Sequence, residues 1–277
     1  MDPERDPTDG PDSAATIARL DEILADCRGR NSALGYFPAM YRAVTARLTA
    51  DMQAAGFEDP ALVGRLVGTF AARYLDAYHR HRRGLLPTGS WGAAFAMAEG
   101  RRRTIIQHLL AGVNAHINLD LGVAAASVSE GLTGPELERF HRDFDRVNAV
   151  LSALMDTLQD GLNEVSPWMG LLDRLGCSWD EGIMGCTIEV ARDGAWSFSR
   201  ALSAGGDRVA ELTAARDRWT TGLLAIVDSP RPVLRAATWI VLCREERDAA
   251  VVIDHLAGTR IDSARLASRS AGLPRGS

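Results

Sequence analysis

Lysine is missing from this chain: all 31 of its basic side chains are arginine. No lysine can therefore form a Schiff base with pyridoxal phosphate or a carbonyl substrate, and no phosphate-binding loop of the lysine type is present. Cysteine is scarce as well. Cys27, Cys177, Cys186 and Cys243 are scattered without CxxC spacing, so they read as reduced thiols of a cytoplasmic protein rather than as a disulfide framework. Long hydrophobic runs are lacking near the C-terminus, where Val233–Cys243 is interrupted by Arg235 and is too short to cross a bilayer. The acidic, proline-rich start has no charged n-region and no apolar h-region, so no secretory signal is expected. Nor is there an excess of positive charge. A net charge of −5 and a pI near 5.7 argue against a nucleic-acid partner. The basic run His79–Arg83 fits the C-terminal end of a helix, where the macrodipole favours cations. No glycine-rich dinucleotide loop follows a strand, which excludes a Rossmann-type nicotinamide or flavin site.

What is present is helix after helix. Alanine, leucine and arginine dominate, and no Asn-Gly or Asp-Gly hairpin signal separates alternating runs. The 277 residues suffice for one large domain. Residues 1–12 carry three prolines and five acidic residues and read as a disordered tail. Residues 263–277, ending in Leu273–Ser277, read as a flexible tail that resembles an appended linker. Between them, 13–262 is expected to form a single all-α bundle of about nine helices. The expected segments are 13–27, 34–54, 60–82, 91 onward, 103–121, 135–163, 167 onward, 179–202, 207–227 and 231–256. Asp59-Pro60 and Ser166-Pro167 pair a capping side chain with proline at the first helical position, and Ser90 is the expected cap before Trp91.

The most telling segment is 107–122. His108, Asn114, His116, Asn118 and Asp120 fall within thirteen residues that are otherwise almost wholly apolar. An apolar background implies burial, and buried polar groups must be hydrogen-bonded, paired or ligating. Strict alternation over 113–121 is the mark of a strand, but a lone strand would have no partner here, so helix is the expected form. On a helix, His116 and Asp120 share a face at i,i+4, and Asn114 and Asn118 share a nearly opposite one. Arg103 and Gln107 extend the asparagine face. Such a helix belongs at the centre of a bundle, with one polar face locking its neighbours and the other facing a cavity. The helix from Pro135 carries His141, Asp145 and Asn148, and the expectation is that His141 and Asp145 converge with His116 and Asp120.

The run Asn114–Leu121 behind His108 resembles the signature of an all-helical actinobacterial family known only as a domain of unknown function. The likeness spans most of 32–256 and takes in Phe57–Asp59, Arg73–Asp76, Trp91, Phe144 with Asn148, Ser166–Trp168, and Ala191-Arg192 with Trp196. Where the family usually has leucine and methionine, this chain has Ala111 and Val113. The resemblance brings no established activity with it. Its usual hosts imply secondary-metabolite biosynthesis, such as a tailoring step on a polyketide-like molecule.

From the residues, the leading expectation is an enzyme working by acid–base chemistry on a small, largely apolar metabolite, of cyclase, isomerase or hydrolase type. His116 oriented by Asp120, with His108 nearby, would be catalytic. Asn114, Asn118, Asn148, Arg103 and Arg192 would bind developing negative charge. Trp91, Trp168 and Trp196 would supply apolar walls. No cofactor is expected. One alternative is a divalent metal held by His108, His116, Asp120 and His141, although asparagine is a poor metal ligand and His108 sits about 80° around the helix from His116. The other is a non-catalytic binding protein whose polar cluster fixes helix register. The expected partner is a small-molecule substrate, without nucleic acid or membrane, and a homodimer is left open.

Overall fold

The computed structural model describes residues 13–52, 56–100, 103–147, 188–228, 239 and 241–258. Among them the chain is all-α. Its helices are α1 (Ser13–Gly29), α2 (Tyr36–Met52), α3 (Pro60–Arg82), α4 (Gly89–Glu99), α5 (Ile105–Val128), α6 (134–147), α7 (Ile188–Ser203), α8 (Val209–Asp228) and α9 (Ala249–Gly258).

Local chemistry explains several of the helix starts. Asp59 accepts the Leu62 main-chain N–H at 2.9 Å, with Pro60 in the first turn, as the cap-proline pair implies. Thr104 and Gln107 close a capping box at the head of α5. The basic run His79–Arg82 occupies the last turn of α3. Two expectations need correction. Ser90 is not the cap of α4. Thr88 holds that position, and the freed Gly89 and Ser90 N–H groups donate to the Asp217 carboxylate of α8 at 2.7 and 2.9 Å. The expected helix over 231–256 is interrupted before α9. Glu246 accepts the N–H groups of Arg247 and Asp248, and Asp248 then accepts that of Ala250. Carboxylates that capture nearby amides end one helix and start another.

α5 is the axle of the molecule. It packs against α2, α3, α4, α7 and α8, and it is longer than the sequence pattern implies, continuing to Val128. By length and composition it is apolar enough to cross a membrane, yet 67% of its most apolar window lies buried inside the fold. Its first half joins a core with Leu20 and Leu24 of α1, Phe37 of α2, Tyr74 of α3 and Ile253 of α9. Its second half joins another with Leu66 and Phe70 of α3, Phe140 and Phe144 of α6, and Ala195 of α7. Gly112 and Gly122 allow this closeness: a Cβ on Gly112 would run into the Phe37 ring, and one on Gly122 would lie 2.6 Å from Phe198. Between the halves, His116–Asp120 forms a π turn, in which the Leu121 N–H reaches back to the His116 carbonyl. Such one-turn widenings concentrate at functional positions.

Candidate functional site

The two polar faces of α5 do different things. On the asparagine face the side chains meet α8 or one another, although the buried Thr220 hydroxyl beside them has no hydrogen-bond partner among the described residues. Arg103 pairs with Asp228. The Gln107 amide donates to the Val227 carbonyl at 2.9 Å, and Asn114 Nδ2 donates to the Thr220 carbonyl at 2.9 Å. Asn118 Nδ2 donates to Asn114 Oδ1 at 2.9 Å, and Arg216 Nε donates to the Asn118 carbonyl at 2.7 Å. The pairs climb α5 as they descend α8, so they form an antiparallel polar zipper. The expected lock between helices is therefore present, and Asn114, Asn118 and Arg103 are engaged in it.

The histidine face is centred on Asp120, which is 1% exposed. Its Oδ1 accepts Arg73 Nε at 2.8 Å, and its Oδ2 accepts Trp91 Nε1 at 2.7 Å. His116 Nδ1 lies 3.3 Å from the same Oδ2. Because the carboxylate, paired with Arg73, can only accept, Nδ1 carries the imidazole proton and Nε2 is left as a lone pair. Burial lowers the His116 pKa, against the opposing pull of Asp120, so the ring is neutral near pH 7. Five rings enclose it. Phe70 stacks on it at 3.5 Å between centroids, with Tyr41 at 4.7 Å, Phe37 at 5.6 Å, Trp91 at 6.0 Å and Tyr74 at 6.4 Å.

His116 Nε2, Tyr41 Oη and Tyr74 Oη are all buried and have no hydrogen-bond partner among the described residues. Burial holds both phenols well above their usual pKa, so they are neutral potential donors. The expected solvent-reachable hollow beside His116 is not formed: the imidazole is 3% exposed and covered by rings. What stands there is a chamber filled by the imidazole and its surrounding rings, and three buried polar atoms of this cluster lack partners.

Other expected site residues are placed elsewhere. His108 belongs to a separate cavity at the head of α5. His141 does not converge with His116. It lies half-exposed on α6, stacked on Trp196 at 4.2 Å, with Asp145 at 3.8 Å. The α6 stripe that faces α5 consists of Phe140 and Phe144, which turns His141 outward. The alternative metal set is accordingly not assembled, and no group of three metal-ligating side chains occurs among the described residues. The guanidinium on Asp120 also makes that carboxylate a poor metal ligand. Arg192 is buried on α7. Asn148 and Trp168 lie outside the described residues, as do the tails 1–12 and 263–277.

The family model described as Family of unknown function (DUF5995) matches residues 14–230. The chain belongs to this family. The match starts before the resemblance read from sequence and stops short of its far end, leaving α9 outside. Neither a curated protein nor a solved structure matches the chain.

Within this DUF5995 chain, several residues of the chamber were not singled out from sequence as site residues. Arg73 stands on the α3 stripe that also holds Phe70 and Ala77, and an arginine inside an apolar stripe is itself a signal of a buried partner. Tyr41, Phe70 and Tyr74 carried no such mark, since aromatics at helical spacing are what any core contains.

Proposed function

We propose that this protein is a small-molecule enzyme whose working base is His116, acting on a largely apolar metabolite by proton transfer. The observation that carries the reading is the bare Nε2 of a buried, neutral imidazole whose other nitrogen is fixed by a carboxylate. That arrangement accepts a proton at Nε2 and stabilises the resulting imidazolium through Asp120. Two neutral phenols beside it, Tyr41 and Tyr74, can donate to an oxygen on which negative charge develops. The aromatic walls exclude water and favour an apolar substrate.

A purely structural role accounts less well for the same atoms. Register between α5 and α8 is already set by the asparagine face. A structural network would also satisfy its members, because each bare buried polar atom costs about 1–3 kcal/mol. Proton abstraction of this kind suits a cyclisation, an isomerisation or a hydrolysis. Since the chamber is closed, substrate entry requires a wall ring, with Phe70 the one stacked on His116, to move aside.

The test is to incubate a small-molecule extract with the wild-type protein and with His116→Phe and Asp120→Asn variants, and to compare the products by untargeted mass spectrometry. Circular dichroism establishes that each variant is folded. A compound consumed by the wild type and spared by both folded variants supports the reading. Equal consumption by wild type and variants, or no consumption by any, overturns it.

A further inference from the structure

Asp120 has no access to water of its own: its side chain is 1% exposed, whereas that of its partner Arg73 is 26% exposed. A carboxylate buried to that depth stays ionised only if a cation stands against it; otherwise it takes up a proton. Arg73 is that cation, with Nε 2.8 Å from Oδ1 on a side chain that still reaches solvent. Trp91 donates to the other oxygen, Oδ2, at 2.7 Å but brings no charge. His116 Nδ1 reaches the same Oδ2 at the longer distance of 3.3 Å. The charges acting on the imidazole are those of Asp120 and Arg73, which pull its proton affinity in opposite directions. The other titratable groups against the ring, Tyr41 of α2 and Tyr74 of α3, are neutral, and α4 brings Trp91. Phe70, Arg73 and Tyr74 fall within about one turn of α3, so that turn supplies both the ring stacked on His116 and the counter-charge of its carboxylate.

We propose that Arg73 is the positioning residue that keeps His116 Nε2 bare, by compensating the charge of Asp120. With Arg73 in place, the guanidinium, the carboxylate and a neutral imidazole together carry no net charge, and no further proton is called for. Without it, the Asp120–His116 pair is left with one uncompensated buried charge and takes one proton from water. That proton has two places to go. Either the imidazole becomes an imidazolium against the carboxylate, or Asp120 becomes a carboxylic acid that donates to Nδ1 while the ring's own proton sits on Nε2. In both cases Nε2 loses its lone pair, and the group proposed to accept the substrate's proton no longer can. Arg73 touches no reacting atom and acts through Asp120. The inference rests on the reading of His116 as the base and names the charge that makes a base of it.

The test reads the ring nitrogens of the resting protein rather than turnover. Long-range ¹H–¹⁵N spectra of the full chain, labelled in histidine and held near neutral pH, separate bare from protonated nitrogens, and the His116→Phe spectrum identifies the His116 signals. The wild type should show Nδ1 protonated and Nε2 bare. In Arg73→Met, which keeps a long unbranched side chain without the charge, the bare Nε2 signal should be lost. Arg73→Lys, which keeps the charge, should retain it. So should Trp91→Phe, which takes a hydrogen bond from Asp120 but no charge. Circular dichroism checks folding, and if Arg73→Met does not fold, the wild type, Arg73→Lys and Trp91→Phe still decide. A bare Nε2 that survives in folded Arg73→Met, or one lost in Arg73→Lys or Trp91→Phe, overturns this inference alone. A wild-type Nε2 that already carries a proton overturns it together with the reading of His116 as the base.

Discussion

At the scale of single residues, Asp120 has the most to lose. It is buried, and it serves Arg73, Trp91 and His116 at once. Asp120→Asn keeps the shape but removes the charge facing Arg73 and puts an amide donor among donors. The cost should be about 3–5 kcal/mol, the range for breaking a buried pair from one side, measurable by urea denaturation. A loss below about 1 kcal/mol would show that the pair is no better than a surface one. The histidines make stability depend on pH. Burial lowers the pKa of both His108 and His116, to about 4 for His108. In the unfolded chain each titrates near 6.5, so below that pH the unfolded state binds protons that the folded state refuses. Stability should be flat above about pH 6.5 and fall as the pH drops towards 4, by about 3 kcal/mol for His108 alone across the whole window. His108→Gln should make the melting temperature fall less steeply over pH 6.5 to 4. An unchanged slope would mean that His108 is not held neutral. Much of this was legible in the sequence: the His116–Asp120 and Asn114–Asn118 pairs follow from four-residue spacing alone. The closing of the chamber was not, because it depends on Phe70 and Tyr41 arriving from α3 and α2, and spacing along one helix says nothing of that.

At the scale of elements, α5 shows why a helix can be polar on two sides. One side is spent on α8, where Gln107 and Asn114 donate to main-chain carbonyls near the middle and end of that helix. Replacing Asn114 with alanine should cost about 1–3 kcal/mol, because it leaves the Asn118 amide without its acceptor as well as losing the bond to Thr220. Gly112→Ala should be at least as damaging despite adding only a methyl, since Phe37 occupies the space. Chemical denaturation of both variants checks the order, and a neutral Gly112→Ala would mean that α2 and α5 can part freely. The strand-like alternation over 113–121 now has a physical reading. It falls on the π turn, where the extra residue per turn shifts the phase of the side chains. Helix starts with side-chain caps, such as Asp59-Pro60, were readable because the cap and the proline are neighbours in sequence. The start of α4 was not, since the carboxylate that accepts its first N–H groups, Asp217, lies far along the chain on α8. The break before α9 was marked only by Glu246 and Asp248, charged residues that a surface helix also carries.

At the scale of the whole molecule, the two large cores have one helix in common. Leu24, Trp91 and Ile253 belong to one, and Phe140, Phe144 and Ala195 to the other, while α5 contributes its first half to the former and its second half to the latter. A rigid helix that supplies both cores couples their unfolding, because losing one core exposes half of an apolar helix whose other half remains packed. Phe144→Ala, in the core remote from Trp91, removes a fully buried ring and should cost about 3–5 kcal/mol. If the cores are coupled, that variant shifts the melting of both together: far-ultraviolet circular dichroism and tryptophan fluorescence, to which buried Trp91 contributes, should give one superimposable transition at a lower temperature. Two separated transitions, with Trp91 retaining its wild-type midpoint, would show instead that α5 breaks at His116–Asp120 and that the chamber lies on a hinge between independently stable halves. The chamber sits at that junction, so the same measurement bears on its chemistry. Coupled cores hold the His116 rings in register, and any wall movement that admits a substrate must then be local to a side chain such as Phe70 rather than a parting of the two halves.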